Sequence, residues 1–221
     1  MKRKMLFMLL ALTVVMGGFI PSGQAYAEKA RQEPSPAAVV SYSPQMVQLH
    51  DAMRKLWMEH VQWTRSYVVS AIAGLKDQKD VLARLLKNQQ DIGDAVKPFY
   101  GDAAGNKLVE LLREHIMLAG KVLDAAKSGN QADLAKFNKE WYRNADDIAK
   151  FLSAANPNWS QKVQQDMLHA HLQFITDQVT ARLKKDWKAD ILAYDKGQDH
   201  MLMYADMLSA GLISQFPDKF K

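Results

Sequence analysis

The chain has no cysteine among its 221 residues. That excludes a disulfide framework, a thiolate metal site and lipid attachment at an N-terminal cysteine. Glycine (11) and proline (7) are scarce, so long stretches run without a breaker. No stretch alternates polar and apolar residues as a half-buried strand does. A phosphate loop, a nucleophile elbow and a dinucleotide fingerprint are all missing. So are Glu-x-x-His and His-Glu-x-x-His. Charge of one sign is also lacking. The formal +5 includes Lys2, Arg3 and Lys4 near the start, and setting these aside leaves +2. Lys184-Lys185 and Lys219-Phe220-Lys221 are too small as basic clusters to carry nucleic-acid binding.

What is present begins with a leader. Three cations precede an apolar run over residues 5–20, Pro21-Ser22-Gly23 breaks it, and Ala25-Tyr26-Ala27 offers small residues for cleavage. This pattern predicts a secretory signal peptide over 1–27, removed after Ala27, and an extracellular or cell-wall-associated product. The run is short for a retained spanning helix, and no later segment approaches it without charges. Residues 28–42, with Pro34 and Pro36, read as a flexible tether. A helical domain is expected over 43–217, with 218–221 as a tail.

Within that domain apolar residues recur at helical spacing, and breakers divide them into about six helices. These are predicted over 44–73, 78–97, 103–127, 131–155, 161–185 and 187–215. Ser43-Pro44 starts the first, Gly74 stops it, and Pro98 and Gly101 end the second. Short connections make neighbours antiparallel. The expected fold is all-α, a helical bundle of three tandem antiparallel hairpins.

The hairpins look like repeats of one another. Glu59-His60 recurs as Glu114-His115 and, with alanine for the acid, as Ala170-His171, at spacings of 55 and 56. Asn88-x-x-Asp91-Ile92-Gly93 recurs 56 residues later as Asn144-x-x-Asp147-Ile148-Ala149. A further 56 residues lands on His200, where Met203 replaces the aspartate. Each of these six polar residues interrupts an otherwise apolar helical stripe. Each also lies about 14 residues from its hairpin turn, roughly 20 Å along a helix. Six polar side chains are therefore expected in one buried layer.

An unpartnered buried polar group costs on the order of 1–3 kcal/mol, so such a layer must be satisfied. Two main solutions stand side by side. In one, the residues hydrogen-bond only to each other and set the register, as a buried Asn does in a coiled coil. In the other, His60, His115, His171 and His200 bind zinc, copper or another transition metal. Asn88, Asn144, Asp91, Asp147, Glu59 and Glu114 then support the imidazoles from behind or add carboxylates. A small organic ligand against Trp57, Trp63, Trp141 and Tyr204 is a third solution. The motif His169-x-His171 points its rings to different faces, and Met201, Met203 and Met207 read as core filler before copper(I) ligands. Asp195 and Asp206 are expected in surface ion pairs, with Arg65 among the candidate cations.

Several strings are familiar together: Leu56-x-x-Glu-His60-x-x-Trp-Thr-Arg, Lys97-Pro-Phe-Tyr-Gly-Asp102, Trp141-Tyr-x-Asn-Ala-Asp-Asp-Ile, and the ending Met203-Tyr-Ala-Asp-Met-Leu with Gln215-Phe-Pro. They resemble a family of small exported helical proteins of Gram-positive bacteria, over nearly all of the chain beyond the leader. The resemblance implies export and a helical fold and carries no catalytic residue. A glycosyltransferase label borne by some members has no counterpart here, since neither an α/β pattern nor an Asp-x-Asp site is present. The function read from the residues is a non-enzymatic exported binding module, with a metal ion as the specific candidate. A structural or envelope-interaction protein is the first alternative and a metal-dependent enzyme the second; a small ligand or an envelope component is the other partner considered.

Overall fold

The computed structural model describes residues 42–221, which form one compact unit. The expected leader, and all of the expected tether but Tyr42, lie outside the described residues. Every long element described is an α-helix: α1 (Pro44–Ala73), α2 (Gln78–Ser128), α3 (Gln131–Ala155), α4 (Gln161–Leu183) and α5 (Trp187–Gln215). None of these helices is long and apolar enough to cross a membrane.

Local chemistry sets the ends. Ser43 accepts a hydrogen bond from Met46 N (3.2 Å), and Pro44 occupies the first turn, where no N–H is needed. Gly74 then takes a left-handed conformation (φ 66°) that few residues other than glycine tolerate, and ends α1. Gly129 (φ 73°) does the same for α2, and Asn130 at once caps α3 through Asp133 N.

The structure has five helices where about six were expected. Residues 78–97 and 103–127 belong to a single element because only Gly101 leaves helical geometry (φ 80°, ψ 170°). That one residue still reverses the chain. A Cβ added to Gly93 would lie 2.3 Å from Val109 Cγ2 and 2.9 Å from Gly105 O. In a straight helix, residues twelve apart stand roughly 18 Å from each other. The limbs of α2 on either side of Gly101 therefore fold back as one turn of the bundle.

Three hairpins result: α1 with the first limb of α2, the second limb with α3, and α4 with α5. Each helix packs on its neighbour in sequence, and α1 closes the ring against α5. Helices α1, α2 and α4 also approach one another across the interior. The apolar core runs the length of the bundle, with Trp141, Tyr204, Ile148 and Leu172 fully enclosed.

At the end away from the hairpin tips, a polar latch joins three elements. Asn156 Nδ2 donates to Tyr100 Oη (3.0 Å), Tyr100 donates to Gln215 Oε1 (2.6 Å), and Gln215 Nε2 donates to Ala155 O (3.1 Å). Within the expected tail at 218–221, Asp218, Lys219 and Lys221 are exposed and Phe220 alone turns inward. Pro217–Phe220 form a 3-10 turn, and Phe220 is buried with its ring stacked 6.0 Å from Phe99.

The two limbs of α2 give a prediction. Gly93→Ala should destabilise the chain by about 1–3 kcal/mol, because the Gly105 carbonyl as well as the Val109 side chain opposes the new methyl. Gly101→Ala meets open space but carries a backbone cost of similar size. Urea denaturation tests both, and an unshifted midpoint for Gly93→Ala would place the limbs further apart than described.

Candidate functional site

All six residues of the expected layer are buried: His60, His115 and His171 at 4% exposure, His200 at 8%, and Asn88 and Asn144 at 0%. They divide into two sets of three. The outgoing helix of each hairpin supplies a histidine. The returning helix supplies a side chain that bonds to the backbone beside it.

That bond has the same form in every hairpin. Asn88 Nδ2 donates to Leu56 O (3.0 Å) and Asn144 Nδ2 donates to Leu111 O (3.1 Å). His200 Nε2 donates to Met167 O (2.7 Å). Each acceptor is the carbonyl four residues before the histidine of that hairpin. A carbonyl can accept only, so the proton of neutral His200 sits on Nε2.

The three outgoing histidines come together. The ring centroids of His60 and His171 are 5.8 Å apart, and those of His115 and His171 are 6.1 Å apart. His115 Nδ1 lies 2.9 Å from Asn144 Oδ1. Because Asn144 Nδ2 already donates to Leu111 O and to Glu114 Oε2, its Oδ1 is the acceptor here. Neutral His115 thus carries its proton on Nδ1, and its Nε2 keeps a free lone pair. In the first hairpin Asn88 acts on His60 more weakly. Their facing atoms, His60 Nδ1 and Asn88 Oδ1, are both buried without a hydrogen-bond partner, so the pairing is too long or too bent to count as one.

Above the rings is a cavity of about 100 Å³. His60, His115 and His171 are its polar floor, and Leu85, Ile116, Val122 and Ile175 are among its apolar walls. It rises to Ala126 and Thr180, close to the tips of the second and third hairpins. Four atoms of lining residues are buried with no partner: His60 Nδ1, His171 Nδ1, Thr64 Oγ1 and Trp141 Nε1. These atoms are themselves covered by neighbouring side chains, so the chamber is bounded mainly by apolar surface.

Burial sets the charge state. It pushes His60 and His115 down to about 4. The neighbouring His115 ring adds to the effect on His60, while the Asn144 bond and the Glu114 carboxylate oppose it on His115. Burial also holds His171 well below the ordinary value, reinforced by His60, His115 and His200. All three are neutral imidazoles at neutral pH.

The remaining residues of the expected site are placed less centrally. His200 does not line the cavity; its ring lies 5.4 Å from Phe174 and its Nε2 is spent on Met167. Glu59 pairs with Arg84 (3.1 Å), Asp91 with Lys87, and Asp147 with Arg143. Only Glu114, which also pairs with Arg143, reaches the layer, through Asn144. Of the four aromatic residues expected around a ligand, Trp141 alone lines the cavity. Trp57 and Tyr204 pack edge to face elsewhere in the core (5.1 Å), and Trp63 lies under the Arg84 guanidinium (5.0 Å). Among the described residues no group of three or more His, Asp or Glu is placed to hold a metal ion.

One buried charge cluster escaped the sequence reading. Asp190, 1% exposed, is gripped by Arg65 and Arg182. Burial alone would raise its carboxyl, but the two guanidinium groups prevail and hold it below the usual value. Arg65 therefore pairs with Asp190 and not with Asp195 or Asp206; Asp206 is held by Arg54 and His50. Asp190 sits one turn into α5 beside its Asp186 cap, so in sequence it reads as an ordinary first-turn acid.

Comparison of the chain with protein-family models, with curated proteins and with solved structures finds no match.

The buried imidazoles predict a pH dependence. The unfolded chain takes up protons near 6.5, whereas folded His60 and His115 resist protonation until about 4. Between these values the unfolded state binds more protons, so stability falls as pH falls through this window and these rings add nothing below it. The loss is on the order of 3 kcal/mol for each ring. Urea midpoints measured from pH 7 to 4.5 should drop accordingly, and His60→Leu should flatten the slope. A flat wild-type profile would mean that the rings reach water.

Proposed function

We propose that this chain is a binding module, exported after loss of residues 1–27, whose ligand occupies the cavity above His60, His115 and His171. The ligand is a small uncharged molecule with one hydrogen-bond donor and otherwise apolar surface, no larger than about one aromatic ring. The observation that carries the reading is an apolar chamber floored by three neutral imidazoles, one of which, His115, keeps a free lone pair on Nε2. The chamber holds no fixed charge, so an anionic ligand would find a countercharge only by protonating a ring that burial keeps neutral. His115 Nε2, with its lone pair free, is the acceptor for the donor of the ligand. No catalytic group is proposed.

A second reading is favoured by the same tautomer. A neutral imidazole whose Nδ1–H is held by Asn144 is oriented as metal-binding histidines are, with Nε2 available. A zinc, copper or similar ion would take His60, His115 and His171 after the rings turn toward a common point. His200 would stay with Met167.

Thermal melting separates these readings. Phenol should raise the melting temperature by roughly 2–4 °C for each kcal/mol of binding free energy. Benzene, which lacks the donor, should act more weakly, and Ala119→Leu, which fills the cavity, should abolish both effects. Stabilisation by zinc(II) that His60→Ala and His171→Ala remove would give the site to a metal. If neither phenol nor zinc shifts the curve, the layer is only a hydrogen-bond network and the binding proposal fails.

A further inference from the structure

The tips of the three hairpins occupy equivalent positions, and one of them departs from the pattern. Gly74 and Gly129 end the outgoing helices of the first two hairpins at φ 66° and φ 73°. The third has Lys185 at φ 60°, the one non-glycine residue with positive φ among the described residues. The spacings from 74 to 129 and from 129 to 185 are 55 and 56, those that relate His60, His115 and His171. A left-handed conformation strains any residue with a Cβ, and glycine is the relaxed choice. The repeat thus has a lysine where its own sister units use glycine.

The surroundings of Lys185 are equally distinctive. Four of the large hydrophobic residues left exposed fall within ten positions: Leu183 (36%), Trp187 (53%), Ile191 (55%) and Leu192 (54%). Trp187 and Ile191 are one helical turn apart at the start of α5. Lys184 and Lys188 stand beside them, both exposed. The Trp187 ring is steadied by the Arg182 guanidinium, 5.5 Å from its centroid.

Of the nearby acids one is buried and one caps a helix, while Asp195 and, at the first tip, Asp77 and Asp80 stay exposed. Asp186 caps Ala189 N (3.1 Å), and Asp190 is buried between Arg65 and Arg182. Since Arg65 meets Asp190, the end of α1 runs alongside the start of α5, and the first tip lies at the same end of the bundle. It adds half-exposed Leu75 and the adjacent Lys76.

We propose that the tip of the third hairpin, Leu183 to Leu192, is a docking surface for an anionic lipid bilayer. The apolar side chains enter the boundary between headgroups and acyl chains, and Trp187 sits at headgroup level, where its apolar ring and N–H are both accommodated. Lys184, Lys185 and Lys188 meet the lipid phosphates. Lys185 accounts for its own strain in this arrangement. The left-handed turn aims its ammonium outward at the tip, where a glycine would carry no charge. The surface goes beyond the cavity and does not depend on what the cavity binds.

The absence of cysteine permits a position-specific test on the whole chain, independent of any lipid affinity of residues 5–20. An environment-sensitive fluorophore is attached at Leu192→Cys or, as a control, at Val163→Cys. Val163 is exposed near the start of α4, roughly 30 Å of helix from the third tip. With vesicles containing phosphatidylglycerol, the label at 192 should brighten and shift to the blue while the label at 163 does not change. Neutral phosphatidylcholine vesicles should leave both unchanged, and raised salt should reverse the effect.

Lys185→Gly on the 192-labelled chain completes the test. It should weaken partitioning about fivefold, the effect of one lysine near an anionic surface. It should also raise the melting temperature by roughly 2–4 °C as backbone strain is relieved. A label at 192 that ignores anionic vesicles, or responds equally to neutral ones, overturns the proposal. So does a Lys185→Gly chain that binds as well as the original.

Discussion

One hydrogen bond, made three times, holds the bundle in register. In each hairpin a side chain of the returning helix donates to the carbonyl four residues before the histidine of the outgoing helix. A carbonyl has two lone pairs, so it can serve its own helix and accept this second donor. Sliding a returning helix by one residue would leave an amide or imidazole unpaired among apolar side chains, at a cost on the order of 1–3 kcal/mol. Alternative registers are thereby penalised wherever the apolar packing alone would tolerate them. The same bonds bring three histidines to a common height, and a shared site at the centre becomes geometrically possible.

Charge is then sorted around this neutral centre. The imidazoles remain uncharged because burial outweighs every opposing influence on them. Most carboxylates near them in sequence turn outward to lysine and arginine. Small residues such as Ala119 and Ala126 leave space over the rings, and the cavity is that space. The two ends of the bundle differ as well. One is closed by the Asn156–Tyr100–Gln215 latch and the Phe99–Phe220 stack. The other carries an apolar and basic tip.

Much of the architecture was legible because helical signals are local. Ser43, Gly74, Gly129 and Asn130 act where their side chains or their lack of Cβ predict. The polar interruptions of apolar stripes located all six buried layer residues. Gly101 was read correctly as a place where helical geometry breaks, but the hydrogen-bonded run continues on both sides of it, so two predicted helices form one element. The role of His200 was not legible. In sequence it is a fourth histidine, and only its place on a returning helix makes it the counterpart of Asn88 and Asn144. Asp190 was missed because its two arginines come from α1 and α4.

By itself the sequence determined the helical class, the breaks between most elements, the three-unit periodicity and the heights at which polar residues interrupt the core. All of these follow from spacing along one chain, where 3.6 residues make a turn and 1.5 Å separates successive residues. Tertiary structure alone decided which polar residues clamp backbone and which face the cavity, where a carboxylate finds its cation, and which tip stays apolar and basic. Those choices depend on how far and in which direction one helix faces another. Residues dozens of positions apart, such as Asn144 with Leu111 or Arg65 with Asp190, acquire their chemistry only when packing brings them together.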